Sequence, residues 1–570
     1  MNLYNQILDL TTELVSIPSV SADAQGENCC ASAIARALRQ GTKLTPEFWP
    51  TPDGRQVVAC LLRGQHSQNE GKTLILLAHH DTVGVAEFGR LGAASGPRIA
   101  FNPFRLRDQL ISVLRERGES RPENPVWQDL SAYFIENGRR RSTWLFGRGA
   151  LDMKSGVAIQ IAVLRELWQR RKHLAGNVLF LSCPDEENES LGILTALPRL
   201  QNLSRTGKLS FAGVINADYT APLAGETGEF PVYVGVIGKL TPSFYIAGIP
   251  THAGEPFRGV DAGLIAAEIA VRLHLNTDLC DTWQGDDVFG PVTAPPPVIL
   301  KISDLKEGYN VQTISEAWLY ANYLTIDMTP GEALDKMTQV ARDALSAVLR
   351  KYRENYAACS GRETAPAAVA GRVLTYSDLR RRLNPAGAEN DKFDAPEKSA
   401  RESSGDIRRD CLDEVRRFSQ ESRLPPPAVV VYFSPPFYPS VIPESGELLR
   451  AVSRAVKRKQ HPAGEEDQEL CLKAIYPYIS DMSYPGGLTD LSRDETALSG
   501  NMPGFGRLYS PDFSLMRKLR MPVVNIGPWG KDAHGLYERV YTPFSFRTVP
   551  RIILEVVDDL LAPPAARTAD

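Results

Sequence analysis

Apolar positions along the chain switch between helical and extended periods. Leu3, Ile7, Leu10 and Leu14 share one helical face at the start. Compact apolar runs follow at 57–62, 73–78, 177–182 and 211–216, of strand length and apolar on both faces, as strands of a parallel sheet covered by helices are. After Asp152, residues Val157, Ile161, Leu164 and Trp168 again lie on one helical side. This alternation over residues 1–230 predicts an α/β domain built on a doubly wound, mostly parallel sheet. Residues of about 86–141 break the rhythm with Arg and Pro, and are expected to be an insertion decorating the mouth of a site.

From 231 to 356 the pattern becomes strand-strand-helix-strand-strand-helix, which predicts a small inserted α+β domain. Its last helix is well marked, with Thr329 as N-cap, Pro330 at the first helical position and Glu332 completing a capping box. Residues 357–427 are polar and read as a second insertion. The first sheet is expected to resume at 429–433 and 522–526, so that 428–570 completes the first domain with a closing helix near 552–561.

Bulk composition changes this picture little. The 64 basic and 68 acidic residues leave a net charge of −4, which argues against nucleic acid or an anionic membrane as partner. The first residues lack a signal peptide's basic start and apolar core, and no apolar run nears the roughly 20 residues of a membrane span. None of the eight cysteines forms a Cys-x-x-Cys pair, and Cys29 and Cys30 are adjacent, which suits a reducing, cytoplasmic setting and no thiolate zinc site.

Candidate chemistry gathers where the apolar runs end. His79-His80-Asp81 follows the second run, and Asp185-Glu186-Glu187 follows the third. Asp218 follows the fourth, and a glycine-rich loop carrying His534 follows the last. Asp152 lies in a glycine-punctuated turn that opens a helix. Buried like charges are costly unless a cation compensates. Side chains leaving the carboxyl ends of parallel strands converge on one crevice. Two histidines with at least three carboxylates, all N and O donors, suit a pair of Zn²⁺-like ions better than one.

These motifs, from Ser16-Ile-Pro-Ser-Val-Ser21 to Gly527-Pro-Trp-Gly-Lys-Asp-Ala-His-Gly-Leu-Tyr-Glu538, resemble the zinc aminoacylase/carboxypeptidase G family, which includes acetylornithine deacetylase and succinyl-diaminopimelate desuccinylase. The extra length and Ile479-Ser-Asp-Met-Ser483 are most similar to its arginine-utilisation RocB branch. The resemblance implies a zinc-exopeptidase-type fold in which the inserted domain is a lid that forms a homodimer. It implies two Zn²⁺ ions, with Co²⁺ or Mn²⁺ as possible substitutes. His79 and Asp218 would hold one ion, Glu187 and His534 the other, and Asp152 both, with a cis peptide bond after it. Asp81 would orient a ligand histidine, and Glu186 would be the general base. His252, in Gly248-Ile-Pro-Thr-His-Ala-Gly254, would reach substrate across the dimer.

Other positions carry less. His80 should point to the opposite face of the sheet from His79. His66, His173, His274 and His461 read as surface or structural residues, and Glu538 as a residue that shapes its loop. Asn310, in Tyr309-Asn-Val-Gln312, matches a substrate-contacting lid motif. The family's carboxylate-binding arginine, thirteen positions later, is replaced by Tyr323. Tyr cannot make an arginine's paired charge-assisted bonds, so Arg258 or another arginine would take over, or the substrate presents another group. The resemblance thus implies hydrolysis of an amide-type C–N bond in a small amino-acid derivative. RocB-like character points to an N-acyl or ureido compound such as citrulline, in arginine catabolism. A dipeptidase or carboxypeptidase, and a non-catalytic binding or assembly protein on the same fold, remain the alternatives.

Overall fold

The computed structural model describes residues 3–66, 71–136, 139–222, 229–362, 370–384, 405–458, 469–487 and 492–562; His461 lies outside them. The chain folds into two compact units, one of residues 1–236, 441–487 and 514–570, the other of 237–440 and 488–513.

The first unit is built on an eight-stranded sheet. Its order runs Glu47–Pro50, Gln56–Arg63, Asn177–Cys183, Lys72–His79, Ser210–Asn216, Val523–Asn525, Glu229–Tyr233, Glu469–Lys473. The four central strands are parallel, so their carboxyl ends lie side by side along one edge. Antiparallel strands flank them on both sides. Asn177–Cys183 is buried along its whole length and Lys72–His79 along all but its first residue, as the uninterrupted apolar runs required. Helices Leu3–Val15, Lys154–Gln169 and Val549–Leu561 form where the apolar spacing placed them. The arginine-rich insertion contains helix Pro103–Glu116, the shorter Pro125–Ser131 and a hairpin of Tyr133–Glu136 with Arg139–Ser142.

The second unit carries a six-stranded sheet. Its helix Pro330–Ser360 starts with the expected capping box between Thr329 and Glu332. One expectation is corrected here. The run at 429–433 does not resume the first sheet: strand Ala428–Phe433 pairs antiparallel with Pro242–Ala247 and parallel with Arg372–Thr375, in the second. Helices Tyr376–Leu383 and Ile407–Glu421, from the polar 357–427 stretch, pack Leu379, Leu412 and Val415 into the same core as Val430 and Tyr432. That stretch therefore belongs to the second unit, as do residues 488–513. The boundary at 230 also moves, because Glu229–Tyr233 is a strand of the first sheet. Among the described residues no helix is long and apolar enough to cross a membrane.

Candidate metal centre

Sheet register gathers the candidate ligands. His79 ends its strand opposite Cys183, so the acids at 185–187 emerge beside it. Asn216 ends the next strand, two residues before Asp218. Asn525, at the end of the fourth, holds Asp218 by its backbone: Oδ1 accepts the Asp218 N–H at 3.0 Å and Nδ2 donates to its carbonyl at 2.8 Å. The chains approach so closely that a Cβ on Gly527 would lie 1.8 Å from the Asp218 carbonyl oxygen, which excludes any other residue there.

Asp152 stands between the two histidines. His79 Nε2 is 3.1 Å from its Oδ1 and His534 Nε2 is 3.0 Å from its Oδ2. His534 Nε2 is also 2.9 Å from Glu187 Oε1, and Glu186 Oε2 is 3.9 Å from His79 Nε2. The peptide bond from Asp152 to Met153 is cis. Three donor sets result: His79/Asp152/Asp218, His79/Glu186/Glu187 and Asp152/Glu187/His534, each with its ligand atoms within 4.8 Å of one another. Donors bound tetrahedrally to zinc lie roughly 3.4 Å apart. The sets are thus close to the span of one ion each, and His79, Asp152 and Glu187 each belong to two of them. The donors present fit a pair of divalent cations.

Electrostatics agree with the geometry. Burial pushes Asp218 up to about 7, with Asp152 adding to it and His79 opposing. Burial also holds Glu186 well above the carboxylate range; His79 opposes, while Asp218, Glu187 and Asp481 reinforce. For His534 burial favours the neutral ring, but bonds to Asp152 and Glu187 outweigh it and raise the imidazole to about 11. His79 shows the same balance, with Asp152 and Asp81 lifting it. Such a concentration of buried carboxylates draws positive charge.

Asp81 organises the turn beside the centre. Its Oδ1 and Oδ2 accept the N–H groups of Glu186 and Glu187, each at 3.1 Å, and Ser21 Oγ donates to Oδ2 at 2.7 Å. His79 Nδ1 lies 3.2 Å from the Asp81 carbonyl and 3.5 Å from Oδ1, which leaves Nε2 facing Asp152. His80 points away to Ser182 Oγ, 3.0 Å distant, and burial drives its ring down to about 3. Asp185, in left-handed backbone at φ 71°, binds Arg55 at 2.6 Å and accepts the Leu191 N–H at 3.1 Å.

Two supporting residues, Asn525 and Arg55, had no signal of their own in the sequence, while Asp481 and Glu538 lay in motifs that did not show their partners. Asn525 and Arg55 are single polar residues within or beside strands, and their partners lie far away along the chain. Asp481 is buried and raised to about 8, first by burial. Arg148 and Glu538 are fully buried and paired.

The remaining candidates, His252, Asn310 and Arg258, lie in the second unit. His252 is exposed, its Nδ1 accepting the Gly254 N–H at 2.9 Å. It bridges to Gln312, whose N–H bonds Asn310 Oδ1 at 3.2 Å, so the two motif loops are neighbours. Arg258 is exposed and pairs with Glu255 at 3.2 Å. Tyr323 is buried, its hydroxyl donating to the Leu279 carbonyl at 2.7 Å, so its side chain belongs to the interior of that unit.

Comparison with known proteins decides the family. Residues 122–543, about three-quarters of the chain, match the peptidase family M20/M25/M40. The chain belongs to this family. The match takes in Asp152, Glu186, Glu187, Asp218 and His534. Over 98% of its length the chain is 29% identical to the protein RocB of Bacillus subtilis, and likewise 29% identical to the uncharacterized protein YqjN of that organism; each alignment covers 96% of the relative. An M20 family metallo-carboxypeptidase from Sulfolobus solfataricus shares the fold, with a TM-score of 0.51 and 12% identity over 97% of this chain and 98% of that one. The chain is therefore a hydrolytic enzyme, an M20-family metallohydrolase with a candidate metal site.

Proposed function

We propose that this chain is a dizinc hydrolase that cleaves an amide-type C–N bond in a small amino-acid derivative, an N-acyl or ureido compound such as citrulline. The observation that carries the reading is the Asp152 carboxylate set between His79 and His534, with Glu186 alongside. His79, Asp152 and Asp218 would hold one ion, and Asp152, Glu187 and His534 the other. Zn²⁺, or Co²⁺ or Mn²⁺ in its place, would supply there a water acidified toward neutrality and polarisation of the substrate carbonyl.

The protein's own groups do the rest. Glu186 takes a proton from the attacking water and returns it to the leaving nitrogen. Its Oε2, 3.9 Å from His79 Nε2, is close enough to the donor sets for both transfers. Asp81 keeps Glu186 and Glu187 in register by binding both their amides. His252 and Asn310 would bind substrate from the lid, with Arg258, six residues after His252, as a cationic group for a substrate carboxylate. A homodimer through the lid would bring the partner subunit's His252 to the site. Exposed apolar side chains on the lid, Leu300 and Ile302 on one strand and Leu264 and Val271 on one helix, support such a contact. The RocB relationship favours a place in arginine catabolism, and eight free cysteines suit a cytoplasmic enzyme.

The test is a screen of chelated and metal-reconstituted protein over ureido compounds, N-acyl amino acids and dipeptides. Activity on the first two classes, restored by zinc, cobalt or manganese, is expected. Turnover of dipeptides alone would move the reading to a dipeptidase. No turnover together with no tightly bound metal would sink it.

A further inference from the structure

We infer that Arg148 and Glu538 form a positioning clamp for one half of the metal centre, the half built from Asp152, Glu187 and His534. The inference rests on the metal-pair reading above and assigns its support. His534 is the weakly held donor of the set. Its side chain is 48% exposed, against 5% for Asp152 and 8% for Glu187. Its backbone is left-handed, at φ 61°, a conformation unfavourable for a side chain with a Cβ. It lies in the hairpin loop between Gly530–Lys531 and Arg539–Tyr541, not at the end of a central strand. Something other than packing must fix it.

Arg148 does so. Its side chain is 1% exposed and reaches two separate segments, 84–87 and 534–538. Nη2 donates to the His534 carbonyl at 3.2 Å and also meets Glu87; Nε donates to the Gly84 carbonyl at 3.2 Å; Nη1 pairs with Glu538 Oε2. The other oxygen of Glu538 accepts the N–H groups of Leu151 at 3.1 Å and Asp152 at 3.3 Å. One buried ion pair thus connects the backbone of the bridging carboxylate to the backbone of the exposed histidine. It also touches the loop that leaves Asp81. A planar five-donor fork can serve these acceptors at once; a lysine ammonium cannot. The hairpin is also braced by Asp129, which binds Arg539 Nε at 2.8 Å. The His79–Asp218 half has no share in the clamp except through Asp152, because strand ends and Asn525 hold it.

The clamp therefore sets the affinity of one ion and spares the other as long as an oxygen of residue 538 still accepts the Asp152 amide. Wild type, Arg148→Lys, Glu538→Gln and His534→Ala proteins are stripped with a chelator and titrated with zinc by calorimetry, and metal content is measured after gel filtration. His534→Ala identifies which affinity belongs to this half. Arg148→Lys should bind one zinc as wild type does and the other 10–100-fold more weakly, the usual effect of losing a partner behind a ligand. Glu538→Gln keeps an oxygen for the two amides but loses the charge facing Arg148. It should weaken the same ion about 10-fold, and it carries the test if Arg148→Lys does not fold. Equal weakening of both ions, as a merely structural role would give, or no change in either, overturns the clamp. Fewer than two zinc ions on wild type would instead overturn the metal-pair reading.

Discussion

In the first unit His79, Asp152 and Asp218 are at most 5% exposed, and every one is bonded to residues distant in sequence. In the second unit His252, Asn310 and Arg258 stand on exposed loops, and the side-chain bonds they make are to neighbours two or three residues away. The contrast separates two jobs. Reaction chemistry needs donors that do not move when a multivalent cation arrives, so His79 and Asp218 sit at or just beyond strand ends where packing forbids motion, and exposed His534 is tied by its backbone to Arg148 instead. On the proposed function, recognition needs groups that can meet an incoming ligand, so it would sit on exposed loops where these side chains bond only to near neighbours while the backbones pair with each other.

The strongest way to break that division is Glu186→Gln. If the buried half performs the proton transfers, kcat should fall by about 10²–10⁴-fold while bound metal is unchanged, read by steady-state kinetics beside elemental analysis. A variant with near wild-type turnover would remove Glu186 from the role. His252→Ala tests the exposed half. If His252 stabilises the oxyanion that develops on the substrate carbonyl, its loss should lower kcat by about 10²–10³-fold. If the site is shared across a dimer, mixing His252→Ala with Glu186→Ala subunits should restore activity. No recovery after demonstrated subunit exchange would place a complete site within one chain.

Much of the first unit was legible because its signals are local. A buried strand writes itself as an apolar run, and a candidate donor at its end as a polar residue breaking that run; the placement of His79, Glu187 and Asp218 was readable this way. What was not legible was pairing between distant segments. The run at 429–433 looks the same whichever sheet it joins, since a central strand is buried on both faces in either. Only contact with Pro242–Ala247 and Arg372–Thr375 assigns it. The same holds at the centre. Arg148 and Glu538 are 390 residues apart, and neither belongs to a periodic pattern that would mark it as buried.

A finer test concerns the charge buried behind the first unit's acids. Glu27 is held at about 8, above its ordinary 4.5, first by burial and then by Asp81, against the pull of Arg55. The folded chain keeps this proton between those two values while the unfolded chain has released it. Stability from this group is therefore fully present below pH 4.5 and is lost as pH rises toward 8. The slope is at most about 1.4 kcal/mol per pH unit. Glu27→Gln should flatten it in urea unfolding of metal-free protein followed across neutral pH. An identical slope in both proteins would show that Glu27 is ionised within the fold.

The smallest effect belongs to Tyr323, and it sharpens the comparison from the other side. In sequence it stands where a substrate-binding arginine is expected, which would make it part of the displayed half. In the structure it belongs to the buried fabric of its own unit, its hydroxyl on the Leu279 carbonyl and close to Met328. Tyr323→Phe removes one buried hydrogen bond, so it should cost about 1 kcal/mol of stability. Because the ring has no path to a ligand, KM for the substrate should stay unchanged. A several-fold rise in KM without loss of stability would return Tyr323 to the binding surface, and the division between buried chemistry and exposed recognition would fail at that position.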